Sequence, residues 1–346
     1  MGAAIPFQHQ QSAHCESGVV AGLLRGQGFP LSEAMVFGLG AAIAFAYLGI
    51  VKINEMPLIS YRMPPRFILR RLRKLLQLPL RVETFRSPDA GERRLDELVA
   101  RGTLVGVQSS VFFLPYIPVN MRFHFNAHNL LVYGREGDEY LISDPVFEAP
   151  TRSSVPELTQ ARFARGVLAP KGLLYYVDGP IAATDVARLI PGALKRSCRV
   201  MLQPLMPFIG VRGIRFLARK VQKVTRDAPP AFAQRYVGHV VRMQEEIGTG
   251  GGGFRFLYGA FLQQAGTLLG NTSLQSLALD MVSIGDLWRD FAYDAARMSK
   301  GRLALDGALL ASQLNNIAER EAALFRAVRA VSRGMTKVYA LAVKKS

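Results

Sequence analysis

Over the first half of the chain apolar and polar positions alternate in short, mixed rhythms, and over the second half they settle into long helical periods. Ser12 is placed to cap a helix running through Cys15 to about Arg25, where Gly26 and Gly28 end it. Pro30-Leu31-Ser32-Glu33 opens the next helix. The stretch 35–51 has no charge and carries three glycines. It falls a little short of the roughly 20 residues of a membrane span and reads as a buried, tightly packed helix followed by a strand. Residues 61–81 are basic and amphipathic, 92–101 form a helix ended by Gly102, and 103–108 form a short buried strand.

Two apolar runs, 129–134 and 139–144, flank the polar turn Arg135-Glu136-Gly137-Asp138, which predicts a β-hairpin. Around Asp178-Gly179-Pro180 the character changes, and the helical period then covers about 182–190, 192–224, 229–247, 253–268, 273–298 and 302–335. The expected fold is α+β in residues 1–178, followed by a mostly α-helical domain in 179–346.

Composition fits two cored domains: 346 residues, 49% of them hydrophobic. The net charge of +17 is uneven, with 19 basic against 15 acidic residues up to 178 and 24 against 11 beyond. Such a surface attracts an acidic partner. Zinc-finger spacing, the aromatic RNP pattern and a helix-turn-helix are all missing from the sequence, so nucleic acid is not the expected partner. Cys15 and Cys198 are too few for a disulfide scaffold, and a polar segment 1–12 is not a secretory signal, so a reduced, cytoplasmic setting is expected.

A cysteine nucleophile needs a thiolate, a base for its proton and a group that orients the base. In the first turn of its helix, Cys15 meets N–H groups and a dipole that favour a negative sulfur. With the hairpin turn centred on Glu136, His128 and Asp144 stand directly opposite each other on one face, Cβ atoms roughly 5 Å apart. Taken singly, Cys15 reads as a core cysteine and Asp144-Pro145 as a strand end; together, in this chain order, they read as a triad of Cys15, His128 and Asp144. His14 adjoins Cys15, and adjacent helical side chains diverge, so it is a poor base for that thiol. His9 and His239 show no partner in the sequence, and no cluster has metal-ligand spacing.

These residues carry a resemblance. The chain resembles the butirosin biosynthesis protein H family, a papain-like N-terminal domain followed by an associated helical domain. The matching pieces are His14-Cys15-Glu16-Ser17, the run from Leu31 to Gly40 leading to Phe45-Ala46-Tyr47, Leu114-Pro115-Tyr116, His124 with His128, Tyr133-Gly134 and Asp144-Pro145. In the second half they are Gly250 to Gly253 with Phe254-Arg255, Tyr258 and Phe261-Leu262. The His-to-Asp-Pro hairpin also resembles the peptidase domains of bacteriocin exporters, another papain-like branch. The first resemblance implies acyl transfer from a carrier-protein thioester: Cys15 takes the acyl group, His128 moves protons and Asp144 orients His128. It implies an acidic acyl carrier protein as partner, with no bound cofactor because phosphopantetheine arrives on the carrier. The acceptor is an amine or hydroxyl on a small molecule or lipid, in a secondary-metabolite, pigment or lipid pathway. Papain-like enzymes place a glutamine a few residues before the cysteine; Gln10 and Gln11, slightly closer than that spacing, are the candidates for the oxyanion hole beside the Cys15 N–H.

Tyr116, His124, Gly252, Gly253 and Arg255 are candidates for binding substrate. The run 250–253 is either a tight packing loop or a clamp on the pantetheine phosphate or the acceptor, with Arg255 as its cation; the Walker pattern is absent. Residues 191–226 and 61–81 interleave cations with apolar residues, as do packed helices with a solvated face and helices lying on the inner face of a membrane. Cys198 has no base nearby and reads as structural. Two other functions stay open: a cysteine peptidase or amide hydrolase, and a non-catalytic scaffold of a biosynthetic complex.

Overall fold

Caps, prolines and turn glycines mark where the chain changes element. In chain order these are α1 (Cys15–Gly26), α2 (Glu33–Leu39), β1 (Ile43–Ile53), β2 (Met56–Arg62), α3 (Phe67–Leu75), β3 (Leu80–Glu83), α4 (Pro88–Ala100), β4 (Val105–Ser109), β5 (His128–Glu136), β6 (Glu139–Ser143), β7 (Thr151–Ser154), α5 (Val155–Arg162) and β8 (Leu174–Val177). The helical half follows as α6 (Ile190–Leu202), α7 (Gly210–Asp227), α8 (Pro230–Glu245), α9 (Arg255–Leu269), α10 (Thr272–Ser299) and α11 (Gly307–Val343). The structure is a computed structural model and describes residues 4–53, 55–247 and 250–343.

The chain divides into two units, 1–36 with 65–184 and 37–64 with 185–346. The second unit joins 185–346 to the β1–β2 hairpin, which the sequence reading had left in the first domain. Aromatic packing explains the difference: Phe45 of β1 and Tyr61 of β2 lie against Trp288 of α10, at ring distances of 6.1 and 5.3 Å.

In the first unit one antiparallel sheet, ordered β3-β8-β4-β5-β6-β7, carries the site. Alternate residues of its central strands, Val105 and Val107 of β4 with Leu130 and Val132 of β5, enter a core shared with Leu95 and Leu98 of α4 and Leu158 and Ala161 of α5. Ser87 caps α4 with Pro88 behind it, and Ser154 and Glu157 form a capping box on α5. α1 lies against β5, where its Gly22 adjoins Leu131.

The second unit is helical apart from β1 and β2. The single helix expected over 192–224 is two, α6 and α7, because Pro204 and Pro207 fall between them. Over 182–190 only a 3₁₀ turn, Val186–Leu189, precedes α6. α7 buries Val211, Ile214, Leu217, Ala218 and Val221 at helical spacing and leaves Arg212, Arg219 and Lys223 exposed. Among the described residues no helix is long and apolar enough to cross a membrane.

Candidate active site

Cys15 is the first residue of α1 and is buried, 5% exposed. The cap is His14 rather than the expected Ser12: its backbone is extended (φ −141, ψ 132) and its Nδ1 accepts from the Ser17 N–H at 3.4 Å. Two carboxylates fix this turn. Glu33, the first residue of α2, accepts from the N–H groups of Ala13 and His14, both at 2.8 Å, and from the Ser17 hydroxyl at 2.9 Å. Burial pushes the Glu33 carboxyl up, against these hydrogen bonds. Glu16, fully buried, accepts from the N–H groups of Arg66 at 3.0 Å and Leu69 at 3.2 Å, and so serves the unpaired amides at the start of α3.

Asp144 follows the last residue of β6, and His128 opens β5. The hairpin turns at Gly137-Asp138, so its register differs from the expected one: Leu131 pairs with Ser143, and a bulge between Val132 and Gly134 shifts the rest. Continued outward, that register sets Asp144 level with Leu130, one pleat repeat from His128. The two side chains meet diagonally instead of head-on, and still share a face. His128 Nε2 lies 2.6 Å from Asp144 Oδ2, with both side chains buried. The Tyr116 hydroxyl donates to the same Oδ2 at 2.9 Å, and the Val146 N–H to Oδ1 at 3.3 Å. Burial and the charge of Asp144 keep the Tyr116 phenol protonated, well above its ordinary pKa.

The segment after Asp144 is pressed against α1. A Cβ on Gly18 would stand 2.7 Å from the Pro145 ring, so only glycine permits this approach, and the Ser12 N–H donates to the Pro145 carbonyl at 2.6 Å. His9 braces the other side. Its Nε2 donates to the Phe147 carbonyl at 3.0 Å, and its Nδ1 meets Ser143 Oγ at 2.7 Å.

Burial opposes a charge on His128. The charge and hydrogen bond of Asp144, joined by a hydrogen bond to Cys15 and its charge, win and push the imidazole up to about 10. The ring therefore links sulfur and carboxylate as an imidazolium at neutral pH. Asn129, which the sequence reading missed, sits beneath the sulfur. Its amide N–H groups point to the Ala127 carbonyl at 3.0 Å and to Cys15 Sγ at 3.9 Å, while its Oδ1 accepts from the Tyr175 hydroxyl at 2.9 Å. Tyr175 has room for its ring because residue 106 opposite is glycine, where a Cβ would come within 2.4 Å.

Other expected site residues stand elsewhere. Gln10 accepts from Arg25 in the last turn of α1, roughly 15 Å along the helix from Cys15, and Gln11 is exposed. His124 is exposed and stacks on Phe112 with ring centres 4.1 Å apart. In the second unit Gly252 gives its N–H to Glu245 at 3.0 Å and Gly253 lies under the Tyr61 ring, the arrangement of a packing loop. Arg255 is no free cation: fully buried, it pairs with Glu321 at 2.8 and 3.1 Å, and Trp288 Nε1–H donates to the same carboxylate at 2.8 Å. His239 donates to the Pro57 carbonyl at 2.8 Å.

Residues 14–145, from the cap of α1 to Pro145, match the family model of the butirosin biosynthesis protein H N-terminal domain. Residues 14–145 thus carry the N-terminal domain of the butirosin biosynthesis protein H family. Residues 156–328, half of the chain, match the domain of unknown function DUF4872, and the chain belongs to that family through its second part. No curated protein matches significantly. A crystal structure of a candidate C39-like peptidase from Bacillus anthracis is similar over 51% of this chain and 96% of that one, at 15% identity and a TM-score of 0.36. The fold is α+β: a sheet-bearing domain that holds the cysteine, histidine and aspartate, followed by a mostly helical one. What such a site can do is nucleophilic acyl chemistry, with sulfur, ring and carboxylate in line.

Proposed function

We propose that the chain is an acyltransferase that takes an acyl group from a carrier-protein thioester onto Cys15 and delivers it to an amine or hydroxyl acceptor. The observation that carries this reading is the buried line from Cys15 through His128 to Asp144. The match of residues 14–145 to the butirosin biosynthesis protein H N-terminal domain, whose resemblance implies thioester chemistry, supports transfer over other uses of a cysteine. The Cys15 thiolate attacks the thioester carbonyl, the carbonyl–sulfur bond to pantetheine breaks, and the departing thiolate takes the His128 proton. The acceptor then attacks the Cys15 thioester while neutral His128 removes its proton, which releases the Cys15 thiolate and restores the ion pair. Asp144 steadies the ring throughout, and Tyr116 and the Val146 N–H hold Asp144. The basic surface suits an acidic carrier as partner.

Intact-mass analysis after incubation with acyl-carrier thioesters tests the proposal. The expected result is an acyl adduct that is absent from Cys15→Ala and is discharged by an amine. Cleavage of peptides with no adduct from any thioester would replace it with the peptidase reading, and full pathway activity of Cys15→Ala with the scaffold reading.

A further inference from the structure

A row of cations beside the nucleophile has no part in the steps above. Arg66, Arg70 and Arg73 follow one another along α3 at four- and three-residue spacing, on one face of the helix. With Leu80, Val82 and Leu173 they line a groove of about 180 Å³. α3 starts at the turn that holds Cys15, because Glu16 binds the N–H groups of Arg66 and Leu69. Arg66 Nε donates to Gln108 Oε1 at 2.8 Å, and Gln108 pairs across the sheet with Asn129. From Arg66 to Arg73 the helix advances about 10 Å. The charges thus run outward from the site in a line.

Arg66 has the buried carboxylate of Glu16 beside its backbone N–H, while the two outer cations face solvent. Arg70 and Arg73 are exposed, and among the described residues neither meets a carboxylate. Arg66 is lowered by burial and then by the like charge of Arg70, with Glu16 opposing. The nearby acids are engaged: Glu83 with Arg94 and Tyr176, Asp178 with Arg81. The two outer guanidinium forks, Arg70 and Arg73, over an apolar floor match a phosphate joined to an apolar dimethyl-substituted carbon.

We propose that this groove binds the phosphate of the acyl donor's pantetheine arm, with the adjoining dimethyl-substituted carbon on Leu80, Val82 and Leu173 and the thioester end towards Cys15. The assignment of the ligand rests on the thioester reading. Phosphopantetheine, pantetheine and inorganic phosphate are titrated calorimetrically into the full-length Cys15→Ala chain. Phosphopantetheine is expected to bind about tenfold or more tightly than either of the others, less so as salt is raised, and Arg70→Glu with Arg73→Glu is expected to erase the preference. Equal binding of the two arms, or a preference that survives the double substitution, overturns the proposal. Inorganic phosphate binding as tightly as phosphopantetheine overturns the arm as ligand. Acylation of Cys15 does not enter these titrations. A chain that binds the arm and is never acylated refutes the acyl-transfer reading alone; one acylated by phosphate-free thioesters but indifferent to phosphate refutes the groove alone.

Discussion

Asp144→Asn removes one charge and keeps the shape of the side chain. Asp144 is fully buried, 2.6 Å from His128 Nε2, and its charge is the largest influence favouring the imidazolium against burial. Raising the ring from its ordinary value to about 10 corresponds to roughly 5 kcal/mol in favour of the charged form. In the amide variant burial remains and the compensating charge is gone, so the ring is neutral at pH 7 and Cys15 loses its counter-cation. Without that cation the thiolate is disfavoured at neutral pH, so alkylation by iodoacetamide slows about tenfold or more. Cys198 does not confuse the readout, because burial pushes its thiol up to about 12. The same pair ties stability to pH. The folded value of His128 lies above the unfolded one, so the stabilisation is fully present below about pH 6.5 and is lost as pH rises through about 10. The gap between wild type and Asp144→Asn in urea midpoint therefore narrows across that window. An amide variant with wild-type alkylation at neutral pH would refute the ion-pair account.

Tyr116→Phe deletes one hydrogen bond to a buried carboxylate, worth about 1.5–3 kcal/mol; acylation of Cys15 is expected to slow about tenfold while circular dichroism is unchanged. Asn129→Leu strands the Tyr175 hydroxyl and removes the N–H aimed at Cys15. Its urea midpoint is expected to report a loss of about 1–3 kcal/mol, and alkylation to slow as well. Arg255→Leu leaves Glu321 buried without its cation and is expected to cost about 3–5 kcal/mol in urea unfolding, most of it recovered in Arg255→Met with Glu321→Leu; a single variant as stable as wild type would contradict the buried pair.

The nearness of His128 to Asp144 was legible because the register error was even. The turn sits at Gly137-Asp138 and not at Glu136, so the expected pairing of His128 with Asp144 was displaced. Side chains repeat every second residue along a strand, and the displacement beside Asp144 amounts to one repeat, which kept both on one face. The cap is His14 where Ser12 was expected, and either places Cys15 in the first turn. Residues bound by distant partners were not legible. Arg255 behind a glycine run looks like a ligand cation until Glu321 is brought beside it, and no local pattern connects them. Gln10 stands near Cys15 in sequence, but Arg25 draws it to the far end of α1. Tyr116 was noticed as a substrate contact, whereas its hydroxyl holds Asp144. Glu33 was read only as a helix opener, although it fixes three donors around the nucleophile's turn.

The two cysteines show how the fold assigns reactivity. Both are buried, and both lie in helices. Cys198 is in the body of α6, where backbone amides bond within the helix, and its S–H donates to the Phe325 carbonyl at 3.3 Å. Burial raises its thiol despite Arg329, and the proton stays. Cys15 opens its helix, where amides lack intrahelical acceptors and an imidazolium replaces the carbonyl. The difference thus lies in what surrounds each sulfur rather than in exposure. Moving charge at Asp144, which does not touch the sulfur, should therefore change Cys15 more than any change in its accessibility, and leave Cys198 as it is.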